Sequence, residues 1–436
     1  TARRDVLRAA DELSQLFVRI SSELGRLSDN LRLEAESVVG EVNQLGTEIV
    51  ALNQQITLAE NQNRAPNDLR DRRDALYQEL ANYVDVNVDP RSDTLTFGKG
   101  IVLLGVTAPK SIEIRETDDG WQVYEESQNT PLTITGGRLG GLQTDAGKEI
   151  VELRQSLDAL AAAFIDGLNR QHAQGVGPNG GLDTILSQIP VFDATEPLSA
   201  INNFSNATEV TSGTIPITVV DQATGDRVLH EISVDIETDT LQSLATKLNV
   251  ANIAASVVDN KLSITAASGY TFDFTGLPGA TPDTPAVEDQ TGLLAALGVN
   301  SFFLGHDAAS IRINNELVET PSLLATSLTG NPGDSDNLTA MIAKRFETSP
   351  LLGDLTPEQH LADITAGVGS RVAFLNREGE GIESVTASLN AQIASISGVD
   401  PDEEVMLMLQ FQRAFEASAR FLSVVNETNE ELMRII

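Results

Sequence analysis

Residues 1–64 contain almost no glycine and no proline, and their apolar residues recur at helical spacing. Leu13, Phe17, Ile20, Leu24, Leu27 and Leu31 follow one another in steps of four and three. Val38, Val42, Leu45, Ile49, Leu52 and Ile56 resume the pattern after a one-step phase slip near Ala35. Such a slip is a stutter, which relaxes a supercoil without ending the helix. At 1.5 Å rise per residue the segment forms a helix roughly 95 Å long, whereas globular helices average about three turns. A rod-like helical bundle accommodates that length; a single round core does not.

The helix breaks at Pro66 and restarts in "NDLRDRRDALYQELANYV", where Asn67 is placed to cap and Asp68 and Asp71 suit the positive helix end. The pattern then changes period. "VDVNVDP", "DTLTF", "IVLLG", "SIEIR" and "WQVYE" are short alternating runs between turn residues, the mark of a small antiparallel unit closed by "GGRLGGL". Helical spacing returns over 142–174 through Ile150, Leu153, Leu157, Leu160, Phe164 and Leu168. Residues 182–335 are rich in Thr, Asp, Gly, Pro and Asn. Within them "TIPITVVD", "RVLHEISVDIE", "TLQSLATKLNVA", "IAASVVD", "KLSITAA" and "YTFDFTG" predict strand–strand–helix–strand–strand–strand, with a surface loop at 277–292 and a turn at 331–337. From about 336 the chain is helical again, with a stripe through Ile364, Val368, Val372 and Leu375.

The predicted fold class is therefore multidomain α+β: an elongated α-helical bundle stalk from both chain ends, with inserted β-rich domains. The expected division is a discontinuous helical domain from 1–83, 142–181 and 336–436, a small antiparallel β domain at 84–141 with 301–335 as a candidate addition, and a variable α+β insertion at 182–300. A chain of 436 residues is in any case too long for one core. Only 4% of its residues are aromatic, so the cores must be aliphatic. A formal charge of −34 disfavours nucleic acid and anionic membrane as partners. Cysteine is absent, which excludes disulfides, zinc–thiolate sites and thiol catalysis.

The last helix has the most informative surface. Asp400 is a good N-cap, Pro401 fits the first helical position, and Glu403 completes a capping box. Met408, Phe411, Phe415, Ser418, Leu422, Val425, Asn429, Leu432 and Ile436 then form a heptad seam that one neighbouring helix could cover. Phe421, Val424, Met433 and Ile435 lie off it, as do Leu407 and Leu409. Each large side chain left wet forfeits about 1.5–3 kcal/mol, so a second direction of cover is expected. Another domain would supply it inside a globular core, another subunit at a chain end; periodicity leaves both open. The candidate assembly interface is Met408, Phe411, Phe415, Phe421, Leu422, Val424, Val425, Leu432 and Met433.

"SGVDPDEEVMLMLQFQRAFEASARFLSVVNETNEELMRI" resembles the C-terminal segment of the flagellar hook-associated protein 1 family, the hook–filament junction proteins. The family pattern there is approximately S-G-V-N-x-D-E-E, an apolar spacer, then Q-x-A-Y/F-x-A-S-A. Ser397, Gly398, Val399, Asp402, Glu403 and Glu404 match the first part, with Asp400 in place of Asn. Gln412, Ala414, Phe415, Ala417, Ser418 and Ala419 match the second. Related axial proteins share a weaker form of this ending, but further stretches are similar to the junction family in particular. Asn67, Asp68, Leu69, Asp71, Arg73 and Asp74 fill its N-D-L-x-D-x-R-D segment, and "GGRLGGL" its Gly-rich turn. Asn169, Gln171, His172 and Gly175 fill N-x-Q-H-x-x-G.

The resemblance implies a secreted structural subunit of the extracellular flagellum, exported through the type III apparatus with a dedicated chaperone on its C-terminal region. It implies contacts with hook protein, with hook-associated protein 3 and with copies of itself in a ring, and neither cofactor nor catalytic site. The family also has a preceding N-terminal helix that pairs with the C-terminal one, so the chain is expected to be a fragment whose last helix lacks part of its cover. An alternative function is a surface-exposed binding module, or adhesin, formed by 182–335 on an axial scaffold.

Catalytic motifs are not found. "GVGPNG" at 175–180 fits G-x-G-x-x-G but follows a helix and contains Pro178, which argues against a dinucleotide site. "DVNVDP" opens like a calcium loop, but Pro90 and Thr96 replace the required Gly and Glu. His172, His230, His306 and His360 are scattered, and no G-x-S-x-G elbow occurs. No metal ligand set is expected, and the chain is read as a non-enzyme.

Overall fold

The first helix, α1, runs unbroken from Ala2 to Asn61. Its buried residues include Leu7, Ala10, Ser14, Phe17 and Ser21, then Ala35, Val38, Val42, Leu45, Ile49, Leu52 and Ile56, with Val39, Gly46, Val50 and Asn53 buried beside the second set. Half-buried Leu24, Ser28 and Leu31 join the two sets in one register of threes and fours. The phase slip expected near Ala35 is therefore absent. Leu13, Ile20 and Leu27 sit one position off the true seam, and Leu27 is 46% exposed. Small residues hold the seam there, which lets neighbouring backbone approach closely. Ser14 loses little by burial, because its hydroxyl donates to the Ala10 carbonyl at 3.0 Å.

This computed structural model describes residues 2–435 except 90–93, 98–100, 105–109, 118–119, 128, 201–203, 205–208, 277–286, 332 and 398–400. The chain divides into two units, Thr1–Ile364 and Thr365–Ile436. It is a mixed helix-and-sheet protein with long helices toward both ends.

In the first unit α2 (Asn67–Ala81) folds back along α1, with Arg70 paired to Glu60 and Arg73 reaching Asn53. Asn67 is the first helical residue rather than the cap, since the Arg70 amide closes the turn on the Pro66 carbonyl. Two antiparallel sheets follow: β1 (Val86–Asp89), β2 (Thr94–Phe97) and β3 (Ile101–Leu104), then β4 (Ile112–Thr117), β5 (Gly120–Glu125) and β6 (Thr130–Leu132). β6 was not visible in the alternation. It contains Pro131 and lies at a sheet edge, where a missing donor is tolerated. Leu95, Ile112, Val123 and Leu132 pack with Val42, Ile49 and Leu80. Asn43 of α1 clamps the start of β4 by exchanging two 2.9 Å bonds with the Ile112 backbone.

"GGRLGGL" opens a helix rather than merely closing a sheet: α3 (Gly137–Gly140), a wide π turn (Gly141–Ala146) and α4 (Gly147–Ala173). A Cβ at Gly137, whose φ is +67°, would collide with the Tyr83–Val84 backbone. The sheet-forming segment comprises β7 (Thr184–Leu186), β8 (Gly213–Asp221), β9 (Arg227–Val234), α5 (Leu241–Lys247), β10 (Ile253–Val258), β11 (Lys261–Ala266) and β12 (Tyr270–Asp273). From β8 onward this is the predicted order. Two antiparallel sheets, β12-β8-β9 and β10-β11-β7, contribute to a core of Ile215, Ile217, Leu244, Ile264, Phe272 and Phe274. Most of the predicted 277–292 loop lies outside the described residues.

The short α6 (Leu293–Ala296), β13 (Phe303–Leu304), β14 (Arg312–Ile313), α7 (Asn315–Glu319) and α8 (Asp336–Ala343) come next. Phe303, Ile313, Leu317 and Leu324 pack with Leu7, Phe17, Leu157 and Leu160. At the predicted turn before α8, Asp334 accepts bonds from both Ser327 and Thr329 hydroxyls. Burial opposes its ionisation, yet these donors and the nearby amides hold the carboxyl well below the usual range. The helix α9 (Pro357–Ser397) follows, and α10 (Pro401–Ile435) supplies the rest of the second unit.

Candidate functional site

Pro401 is the first residue of α10, as its fixed φ favours. The proposed cap Asp400 and the side chain of Glu403 lie outside the described residues. Along the helix Met408, Phe411, Phe415, Phe421, Leu422, Val424 and Val425 are all exposed, from 37% at Val425 to 75% at Phe415. The side chains of Leu432 and Met433 are outside the described set.

Helical geometry sharpens what this surface can do. Beside the seam Met408–Phe411–Phe415–Ser418–Leu422–Val425, the flanking positions hold Gln412, Ala414, Ala419, Phe421 and Asn426. None is charged. Arg413, Glu416 and Arg420 fall on the opposite side. Two-stranded coiled coils usually place Glu and Lys on those flanks, so uncharged flanks suit a helix covered by more than one neighbour.

The other helix of this unit is just as bare. Val368, Val372, Leu375, Ile382, Val385, Leu389 and Ile393 of α9 are exposed. No described side chain from 365 to 426 is buried. The stripe beyond Leu375 escapes a reading of the sequence because Gly379 and Gly381 interrupt it, although 382, 385 and 389 keep the spacing.

Among the described residues no three His, Asp or Glu groups are placed to hold a metal ion. No described helix is long and apolar enough to cross a membrane. The Gly-rich stretch after α4 serves packing: a Cβ at Gly175 would strike the Asn337 side chain, and one at Gly177 the Ser322 carbonyl. His360 bonds the Ser156 carbonyl at 3.0 Å, and His306 stands 3.3 Å from Asp307. A groove of about 830 Å³ lies in the first unit among Leu13, Phe164, Leu168, Met341 and Ile342. Its floor is apolar, and two of its rim charges are internally matched, Lys344 by Glu347 and Arg170 by Asp166.

Residues 1–186 match the helical domain of flagellar hook-associated protein FlgK, and residues 391–435 match the C-terminal region of flagellar basal body rod FlgEFG proteins. The chain is 26% identical to flagellar hook-associated protein 1 of Escherichia coli K12, over all of its own length and 76% of that protein. It is 27% identical to the Salmonella typhimurium protein of the same name, again over its whole length and 77% of the relative. The Bacillus subtilis counterpart is 23% identical over 99% of this chain and 71% of its own. A solved structure, the flagellar hook junction protein FlgK of Burkholderia pseudomallei, aligns over 88% of this chain and 89% of its own with 14% identity and a TM-score of 0.36. The chain is thus similar from end to end to flagellar hook-associated protein 1, and its first 186 residues match the helical domain of FlgK; these relatives are structural hook-associated proteins, not enzymes.

Proposed function

We propose that this flagellar protein is a subunit of the extracellular hook–filament junction and that it assembles side by side with its neighbours through α10. One observation carries the reading: a seam of Met408, Phe411, Phe415 and Leu422 that is exposed throughout and bordered by uncharged positions. Each such side chain gains about 1.5–3 kcal/mol when fully covered, and polymerisation supplies the cover. Identical subunits related by a constant rotation close into a ring or continue as a helix.

Hook protein on one side, hook-associated protein 3 on the other and an export chaperone on the C-terminal region are the partners this role requires. The chaperone would shield the same apolar seam before export. The test is genetic and morphological. Full-length protein carrying Phe411→Asp and Phe415→Asp is expressed in a strain lacking its own copy, and hook tips are labelled with specific antibody. Loss of label and of swimming, with the protein still exported, is the expected result. Normal filaments built on the doubly charged variant would overturn the reading.

A further inference from the structure

His172 stands where two cores of the first unit meet. The next residue, Ala173, belongs to the core around Phe272, Leu297 and Val299. Phe302, whose ring centre is 5.6 Å from that of the imidazole, belongs to the core shared with α1. The chain leaves α4 here for the sheet-forming segment and returns at 298–303. Side chains tie the return to the departure. Asn169 Oδ1 accepts from the amides of Phe302 at 2.9 Å and Phe303 at 2.8 Å, and its Nδ2 donates to the Phe303 carbonyl at 2.9 Å. Asn300 Nδ2 donates to the carbonyls of His172, Ala173 and Gly175 at 3.2–3.4 Å. Gln171 reaches Asn337, which in turn holds the Ala325 carbonyl at 2.6 Å.

The imidazole is the centre of this knot, and two backbone groups dictate its protonation. Nδ1 lies 2.7 Å from the Asn300 carbonyl, which can only accept, so Nδ1 carries the proton. Nε2 receives the Ala325 amide at 3.0 Å, and an amide can only donate, so Nε2 must be bare. We propose that His172 is an acid-opened catch: protonation of Nε2 sets two N–H groups against each other and releases 300–303 and 322–327 from α4.

Among the described residues, nothing packed against the ring compensates the charge. Burial, against a weaker contribution from the Asn300 bond, pushes the imidazole down to about 4. Segment 298–305 brings Asn300 and Phe302, segment 322–327 brings Ala325, and α8 brings Asn337; none of these is ionisable. Arg170 on the same helix is held 2.9 Å from Asp166. The carboxylate of Asp334 is taken up by Ser327 and Thr329, and Asp336, at the start of α8, follows in the same segment. The device accounts for all four residues of the N-x-Q-H-x-x-G motif, since a Cβ at Gly175 would displace Asn337.

The experiment follows the histidine ring signals of the whole chain by NMR from pH 8 to 3.5, with amide-exchange protection of 300–303 and 322–327 measured over the same range. His172→Gln keeps an acceptor for the Ala325 amide and cannot titrate; its missing signal also assigns the ring. One ring is expected to titrate near pH 4, with protection of both segments falling at least 10-fold in the same step and no such step in H172Q. A His172 ring titrating like a free histidine overturns the proposal, as does an acid step at an unchanged midpoint in H172Q. Should H172Q not fold, selective ring labelling assigns His172, and a gap of more than one pH unit between its titration and the loss of Ala325 protection is equally fatal.

Discussion

α1 and α10 are both long helices with apolar residues in steps of three and four, yet they end in opposite situations. The α1 seam includes Ala10, Ser14, Ser21 and Ala35, and all of these are buried. The α10 seam holds Met408, Phe411, Phe415 and Leu422, far larger groups, and all are exposed. Side-chain size therefore does not decide burial in these helices. What decides it is whether a neighbouring element exists to close the seam. α4 and the β13–β14 region serve the first half of α1, and α2 with the sheets serves the second. A covered seam can use small residues because each neighbour is fixed. An uncovered seam must carry its driving force in its own side chains.

Truncation should separate the two helices most sharply. Ile49 is fully buried, so Ile49→Ala should cost about 2–5 kcal/mol in denaturant melting. Phe415→Ala should stay within about 0.5 kcal/mol of the parent. Comparable losses at both positions would mean that α10 is covered in solution after all.

Acid should act on the covered region next. The His172 value of about 4 lies below its ordinary 6.5, so between these values the unfolded chain binds the extra proton. The catch contributes fully above pH 6.5, and its contribution falls by about 1.4 kcal/mol per pH unit as pH drops toward 4. About 3 kcal/mol is lost in total by that linkage, read as the difference between the parent and H172Q in melts at pH 7 and pH 4.

Overfilling gives a smaller contrast. Ser21→Leu should destabilise by about 1–3 kcal/mol because its site is closed. Ser418→Leu, on the open seam, should leave the melting curve unmoved and strengthen self-association in sedimentation. The smallest effect is expected at Leu27, where replacement by Gln should change stability by less than about 0.5 kcal/mol. A larger loss there would restore the register with a slip.

Much of the architecture is legible in the sequence where one face of an element is buried. The alternation in 213–273 predicts every strand from β8 to β12 and the helix among them, since each presents one inner face. β7 is too short to show a period and is held by β11 rather than by its own pattern. The slip in α1 is an error of weighting: counting Leu and Ile favours Leu13, Ile20 and Leu27, while packing selected the serines beside them. At α10 the sequence supplies the apolar seam and its flanks, but not whether the chain itself covers them. The role of His172 is not written in spacing at all, because its partners are backbone groups more than a hundred residues away.

The π turn at Gly141–Ala146 has a consequence for how this molecule can change length. It accommodates one more residue than an α-helical turn, which rotates everything after it by about 100° about the helix axis. Leu139 and Leu142 face one core, and Leu157 and Leu160 another. Removing a single amino acid at this point would re-aim the whole of α4, so lineages of this protein should keep the number of residues here fixed.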